Sequence, residues 1–370
     1  MKSVEKDLKV AITHDYLIEY GGAEVVLREL LKLFPKADLY TAIYKEDKSQ
    51  RELWIEVSRH KIYTSFVNKL PLKKIFWKIL LPLHIRFFRN LDLSGYDLVI
   101  SSSAGFAKFI EVKAPTKHIA YIHTPPRFLW GFETSFFHKI PFPIKALLKP
   151  ILKKWNKLDY YYARKASLVV TNSRNIQEKI HKCYGINAKI VYPPVDIESI
   201  LKAQEEPKQN FYLVVSRLHK YKNIDLIIKA FNKNRHKLII VGDGPERKYL
   251  KEIAGSNIEF EGFIDEQAKI RLLKQAKAFL FAAEEDFGIV MVEALAAGTP
   301  VIAYAKGGAL EIIKEGSNGI FFSKQDPDLV NDSIIALEKL SFRKSDIVQS
   351  ARNFSSQIFE QKIEELIAFL

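Results

Sequence analysis

The chain has 370 residues, 48% apolar and 12% aromatic, with a single cysteine, Cys183; this excludes a disordered polypeptide, an internal disulfide framework and a zinc site built on several thiolates, and fits a reducing compartment. A chain this long exceeds one ordinary compact core, so two domains are expected. The formal charge of +14 is uneven: residues 1–196 carry 33 Lys and Arg against 18 Asp and Glu, while the remainder is balanced at 24 against 25, so attraction to nucleic acid, anionic lipid or a phosphorylated substrate belongs to the N-terminal half.

In chain order, MKSVEKDLKVAITHDY mixes charges before a short apolar run and has no signal-peptide core. No uninterrupted apolar stretch reaches the roughly 18 residues of a membrane span, so a soluble, cytoplasmic protein is expected. VAITH (10–14) reads as a strand, and the following HDYLIEYGGAEVVLREL sets Gly21 and Gly22 ahead of a helix, where backbone amides can meet a phosphate. Two basic stretches, 58–90 and 136–155, interleave Lys and Arg with Phe, Trp, Ile and Leu. Such stretches either lie in a membrane interface, at about 1 kcal/mol per cation near anionic lipid, or turn their apolar residues to the core and leave the lysines solvated. DLVISSS (97–103), HIAYIH (118–123) and SLVVTNS (167–173) are further strands. His123, in HTPPR, falls at a strand's C-terminal end, where a histidine serves either structure or a ligand.

The proline-containing YPPVDIESILKAQEEPKQN (192–210) reads as a linker, and the strand pattern then restarts with YLVVSR (212–217), KLIIVGDG (237–244), NIEFEG (257–262), AFLFAAE (278–284) and PVIAY (300–304). Apolar strands alternating with helices predict parallel sheets covered on both faces: an α/β fold of two doubly wound domains facing across a cleft, with ligands at the strand C-termini. The expected divisions are 1–195, 196–354 and a C-terminal helix over 355–370. In that helix Ile358, Phe359, Ile363, Leu366, Ile367 and Leu370 recur at helical spacing, and they can pack back on the first domain.

The stretch AAEEDFGIVMVEALAAGTP (282–300) combines a strand end, a turn at Gly288 and a helix stopped by Gly298. Amides of Phe287, Gly288, Ile289 and Val290 are then available to phosphate or sugar oxygens. Glu285 lies in the loop and Glu293 one turn inside the helix, so both can reach one ligand combining hydroxyls and phosphate; alternatively both are solvated acids. A metal site through Glu284, Glu285 and Asp286 is not expected. Arg217 and Lys222, in the strand-to-helix connection SRLHKYKNIDLIIKAF, either neutralise a diphosphate or are surface charges. Gly242, in VGDGP, permits close backbone approach to a ligand.

Together, Glu285 and Glu293 around Phe-Gly, SRL followed by Lys222, VGDGP, GTPVIAY and GGALE (307–311) resemble glycosyltransferase family 4, retaining enzymes of the two-domain GT-B fold. HDYLIEYGGAE, YIHTPPRFLW, TNSRNI, VYPPVD and YKNIDLIIKAF are similar to the branch holding bacterial and archaeal mannosyltransferases of surface-polysaccharide assembly. The resemblance implies that Glu285 holds donor-sugar hydroxyls, that the amides of Phe287 to Val290 bind sugar and diphosphate, and that Glu293 binds the ribose. It also implies that Arg217 and Lys222 stabilise the departing diphosphate, that His123 contacts the sugar, that the Gly21-Gly22 loop closes on the phosphates, and that Phe263 and Ile264 meet the base. Asn223 stands where many relatives have glycine. No role follows for the SSSAGF segment (101–106), His14 or His118.

The expected activity is transfer of a hexose, mannose from GDP-mannose, to a lipid-linked or polysaccharide glycan at the inner membrane face, with no metal and no cofactor beyond the nucleotide-sugar donor. The alternatives are a UDP-sugar donor or a sugar-nucleotide-binding protein without transfer activity. Nucleic-acid binding is not expected, because the second half supplies no basic surface.

Overall fold

A computed structural model describes residues 8–18, 20–45, 51–70, 80–132 and 142–370 of the chain. The portions of the two basic stretches at 71–79 and 136–141 lie outside the described residues. The chain divides into two units, Met1–Pro194 with Phe359–Leu370, and Val195–Ile358.

In the first unit, β1 (Val10–His14), β2 (Asp38–Thr41), β3 (Ile62–Thr64), β4 (Leu98–Ser103), β5 (Lys117–Ile122), β6 (Leu168–Thr171) and β7 (Lys189–Ile190) form one sheet ordered β3-β2-β1-β4-β5-β6-β7. All neighbours are parallel. Strands with helices on both faces are buried on both, and β1 is buried at every position, its polar Thr13 and His14 included. On one face Ile12, Ile100, Tyr121 and Val170 meet Leu27, Leu30 and Leu31 of the helix Gly22–Leu33. The same core takes Phe359 and Ile363 of the C-terminal helix Ser356–Ala368, with Leu366, Ile367 and Leu370 partly buried. Ile358, one of its apolar set by spacing, is 38% exposed.

The second unit holds β8 (Tyr212–Val215), β9 (Leu238–Val241), β10 (Ile258–Gly262), β11 (Ala278–Phe281), β12 (Val301–Tyr304) and β13 (Gly319–Phe322). They pair in parallel in the order β10-β9-β8-β11-β12-β13. Every strand expected from the sequence is present, β1 with the expected bounds, β5 shifted by one residue and the others shortened by one to a few, and β2, β3, β7 and β13 are additional. The segment read as a linker contains a helix, Ile197–Lys202, capped by Asp196, whose carboxylate accepts from Ser199 N at 3.0 Å.

Both sheets reverse direction of growth beside their first strand, between β1 and β4 and between β8 and β11. In a doubly wound sheet this switch point opens a crevice at the strand C-termini. In the first unit Asp15, just after β1, fills part of it. Its Oδ2 accepts from the amides of Ala104 and Gly105 at 2.6 and 2.7 Å, and its Oδ1 from those of Phe106 and Ala107 at 2.7 and 2.6 Å. The SSSAGF segment is therefore wrapped around one carboxylate, which gives it a structural role. Below it, Lys108 pairs with Asp159 at 2.7 Å with both side chains fully buried, and Trp130 Nε1 and Tyr184 OH donate to the same Asp159 at 2.7 Å each. Such a pair stands only because the neighbouring donors complete its hydrogen bonding.

His118 is a core residue: its Nε2 lies 2.8 Å from Ser101 Oγ, and burial pushes its pKa down to about 3. Burial also pushes the Cys183 thiol up to about 12, with Asp159 adding to the effect, so the thiolate is suppressed.

Replacing Asp15 by Asn keeps the shape but turns one acceptor oxygen into a donor, leaving two of the four amides facing an N–H. Asp15→Asn is expected to cost about 2 to 4 kcal/mol in urea unfolding; a cost under about 0.5 kcal/mol would remove the carboxylate as the organiser of this loop.

Candidate functional site

The switch point of the second unit brings together residues that lie far apart in the chain. Lys222 ends the short 3-10 turn Lys220–Lys222 that follows β8, and Glu285 lies in the loop after β11. Their side chains form an ion pair across the crevice, 12% and 22% exposed. The Lys222 ammonium also sits 5.1 Å over the ring of Tyr221, and Arg217 Nη2 lies 3.4 Å from the Tyr221 hydroxyl. Arg217 itself is exposed. Asn223 adopts φ 52°, a left-handed conformation that glycine and asparagine tolerate best. Asparagine therefore serves at this position at little conformational cost.

The Glu285 loop is shaped by contacts that only glycine allows. Gly308 N donates to Glu285 O at 2.9 Å, and a Cβ on Gly308 would lie 2.2 Å from Phe287 O. Gly307, at φ 62°, would place a Cβ 2.3 Å from Glu285 O. The GGALE pair is thus a backbone clamp on the loop that carries Glu285. Gly288, at φ 101°, turns the chain into the helix Ile289–Ala296 with no side chain capping its start, so the first amides of that helix lack intrahelical acceptors. Phe287 is buried, while Ile289 and Val290 are half-buried.

Glu293 is not a solvated helix acid. Lys269, on the neighbouring helix Glu266–Gln275, lies 3.0 Å from its Oε1 and 2.9 Å from its Oε2, and 2.9 Å from Glu266. Burial works to lower the Lys269 pKa, but the carboxylates of Glu293 and Glu266 outweigh it and hold the ammonium above the usual lysine range. A carboxylate has about four lone-pair positions, so Glu293 keeps capacity for hydroxyl donors. Nothing in the local pattern of the helix Glu266–Gln275 marks Lys269, and sequence reasoning missed it.

Phe263 is 60% exposed, with Ile264 half-buried beside it, immediately after β10. The glycines of VGDGP serve the protein's own packing: a Cβ on Gly242, at φ 126°, would fall 1.9 Å from Ser216 O, and one on Gly244 2.5 Å from Leu218 O. Among the described residues no group of three or more His, Cys, Asp or Glu could hold a metal ion.

In the first unit, His123 follows β5 and is 7% exposed. Its N–H donates to Ser103 O at 2.9 Å, its carbonyl accepts from Asn172 Nδ2 at 3.0 Å, and its Nε2 lies 2.8 Å from Ser102 Oγ. The TNSRNI motif thus fixes the HTPPR loop, while Ser173 of the same motif caps the helix Arg174–Tyr184. Gly21 is extended at φ −160°, a conformation open to any residue, and caps the helix Gly22–Leu33. Glu24 occupies the first turn of that helix, so a carboxylate already stands where the Gly21-Gly22 loop is expected to receive phosphate.

Two family models cover most of the chain: Glycosyltransferase Family 4 over residues 20–199 and Glycosyl transferases group 1 over residues 196–354. The chain belongs to glycosyltransferase family 4. The glycosyltransferase MJ1069 of Methanocaldococcus jannaschii, itself uncharacterized, is 26% identical over 96% of each chain. The alpha-1,3/1,6-mannosyltransferase ALG2 of Kluyveromyces lactis is 24% identical over 82% of this chain and 71% of its own. Among solved structures, Anabaena Alr3699/HepE in complex with UDP and glucose matches with a TM-score of 0.72 at 21% identity, covering 98% of this chain and 100% of that one. The fold of this family 4 glycosyltransferase is accordingly GT-B, two Rossmann-like units built on parallel sheets.

Lys222 and Arg217 are the cations at this switch point that a nucleoside diphosphate would meet. Lys222→Met and Arg217→Ala are each expected to weaken its binding by about 1.5 to 3 kcal/mol, as for hydrogen bonds to charged groups. Titration calorimetry showing wild-type affinity for either variant would remove that residue from the site.

Proposed function

We propose that this glycosyltransferase moves a hexose, mannose from GDP-mannose, with retention of configuration onto a lipid-linked or polysaccharide glycan. The observation that carries the reading is the Lys222–Glu285 ion pair across the switch point of the second unit. Each group is the other's counter-ion there. An ammonium has three donors, so Lys222 can hold Glu285 and a phosphate oxygen at once. Breaking the bond between a sugar and a nucleoside diphosphate puts negative charge on the leaving oxygen and positive charge on the ring. Lys222, Arg217 and the amides at the start of the helix Ile289–Ala296 would stabilise the first as it develops. Glu285 would accept hydroxyls of the donor sugar, and Glu293, oriented by Lys269, those of the ribose. Phe263 and Ile264 would lie against the base.

The leaving phosphate would itself take the acceptor's proton, so the chain supplies no general base, and Glu285 and Glu293 are ligands rather than the acid and base of a glycosidase. The choice of mannose is supported by relatives named as ALG2 mannosyltransferases. The HepE complexes with UDP and UDP-glucose favour a second reading, a UDP-sugar donor in the same site.

The acceptor side would work at a membrane surface. The helix Phe142–Lys165 exposes Ile151, Tyr160 and Tyr161 among Lys149, Lys153, Lys154 and Lys157, a mixture suited to anionic lipid. Among the described residues no helix is long and apolar enough to cross a membrane.

Because Glu285 is assigned to the sugar, Glu285→Ala should reduce transfer at least about 100-fold, a loss typical of a group that acts in the transition state, while changing affinity for the free nucleoside diphosphate less than about fivefold. Equal losses in a transfer assay and in calorimetry would contradict the sugar assignment.

A further inference from the structure

The helix Ile289–Ala296 carries one charged side chain among apolar ones. Met291, Val292, Ala294, Leu295 and Ala296 are buried, and Glu293 stands between them with its side chain 15% exposed. A carboxylate so nearly withdrawn from water needs a counter-ion or a set of donors. No side chain of its own helix can supply one. Lys269 supplies it from the neighbouring helix Glu266–Gln275, with its ammonium 3.0 Å from Oε1 and 2.9 Å from Oε2. A second carboxylate, that of Glu266, holds the same ammonium at 2.9 Å.

The lysine reaches Glu293 from a defined place. β10 ends at Gly262, Phe263 and Ile264 follow, and Asp265 caps the next helix by accepting from Ala268 N at 2.7 Å. Glu266 opens that helix, and Lys269 lies about one turn further on. The cluster Glu266, Lys269, Glu293 thus ties the segment assigned to the base to the helix that carries the residue assigned to the ribose. A cation at one oxygen would leave the carboxylate free to turn about its last bond. A cation at both fixes its plane, and with it the lone pairs that remain for hydroxyl donors. A side chain held in this way has already given up the rotamer freedom that ligand binding would otherwise remove.

We infer that Lys269 is a positioning residue that makes the site selective for ribose-bearing nucleotides, by holding Glu293 in the orientation in which it accepts the ribose hydroxyls. This rests on the reading that Glu293 meets the ribose of the donor. Lys269 acts through that carboxylate, so its loss removes discrimination at the ribose and leaves the hold on the phosphates to other groups.

The test is calorimetric titration of the full chain with GDP and UDP, with their 2′,3′-dideoxy forms and with inorganic pyrophosphate. The wild type is expected to bind the ribose form of its preferred nucleotide at least about tenfold more tightly than the dideoxy form, as for a hydrogen bond to a charged group. In Lys269→Met that ratio is expected to fall to within about twofold, through lost affinity for the ribose form, while the dideoxy form and pyrophosphate stay within about twofold of wild type. Lys269→Arg, whose guanidinium can face both oxygens, should keep most of the ratio. Glu266→Gln leaves both contacts to Glu293 in place and should keep it as well.

A ratio in Lys269→Met equal to that of the wild type would overturn the proposal. So would an equal loss for the ribose form, the dideoxy form and pyrophosphate, which is the result a merely structural ion pair would give. If Lys269→Met fails to fold, Lys269→Gln takes its place: a fall in the ratio of about threefold or more is expected, and an unchanged ratio overturns the proposal. A wild type that binds the nucleotides without preferring the ribose form would overturn the ribose assignment of Glu293, and the proposal with it. That failure is read in the wild type, whereas failure of the proposal alone is read in the variants.

Discussion

Each sheet adds strands outward in both directions from its first strand, and that topology leaves a crevice beside the first strand where connecting segments part to opposite faces. The rest of the molecule depends on how polar groups occupy these two places. In the first unit the crevice is closed by Asp15, which gathers four amides, and by the His14–Ser102–His123 line. In the second it is spanned by Lys222 and Glu285, with the loop carrying Glu285 clamped by Gly307 and Gly308. The first arrangement consists mostly of groups that already have partners, while the second contains charges still within reach of water.

That difference bears on function. A carboxylate with four short amide bonds has no capacity left for a substrate. Glu285 shares its charge with a partly exposed lysine, and Glu293 shares its own with Lys269. Both glutamates therefore keep accepting lone pairs in places where the surrounding backbone is rigid. Rigidity at the site comes from close backbone contact rather than from large side chains: Gly242, Gly307 and Gly308 each stand where a single Cβ would collide with a carbonyl oxygen. These glycines hold strand ends and loops together.

Much of this was legible in the chain. Strands that are apolar throughout announce themselves, and so do their restart after residue 210 and the glycine before the helix Ile289–Ala296. The strands that escaped notice are β2, β3, β7 and β13, of two to four residues each. The C-terminal helix was readable from its spacing, but the exposure of Ile358 was not, because spacing defines a face and not its edge. What the sequence concealed most completely was pairing. Lys269 and Glu293 lie 24 positions apart, and Asp15 lies 89 to 92 positions from the amides that it binds. Such contacts are decided by strand order, which no local pattern encodes. The glycines of VGDGP, read as room for a ligand, also stand where a Cβ would collide with the carbonyl oxygens of Ser216 and Leu218.

The central claim is that the crevice of the second unit binds a nucleoside diphosphate and its sugar, and the most direct test is the unfolding temperature of the protein with GDP, UDP, ADP and their mannose and glucose conjugates. A ligand that binds only the folded state raises the midpoint, by about 2.7 kcal/mol of stabilisation at a hundred times its Kd. The account predicts a rise with GDP and GDP-mannose and none with the others. A rise with UDP compounds alone would keep the site and transfer the donor to the second reading, and no rise with any of them would contradict the claim.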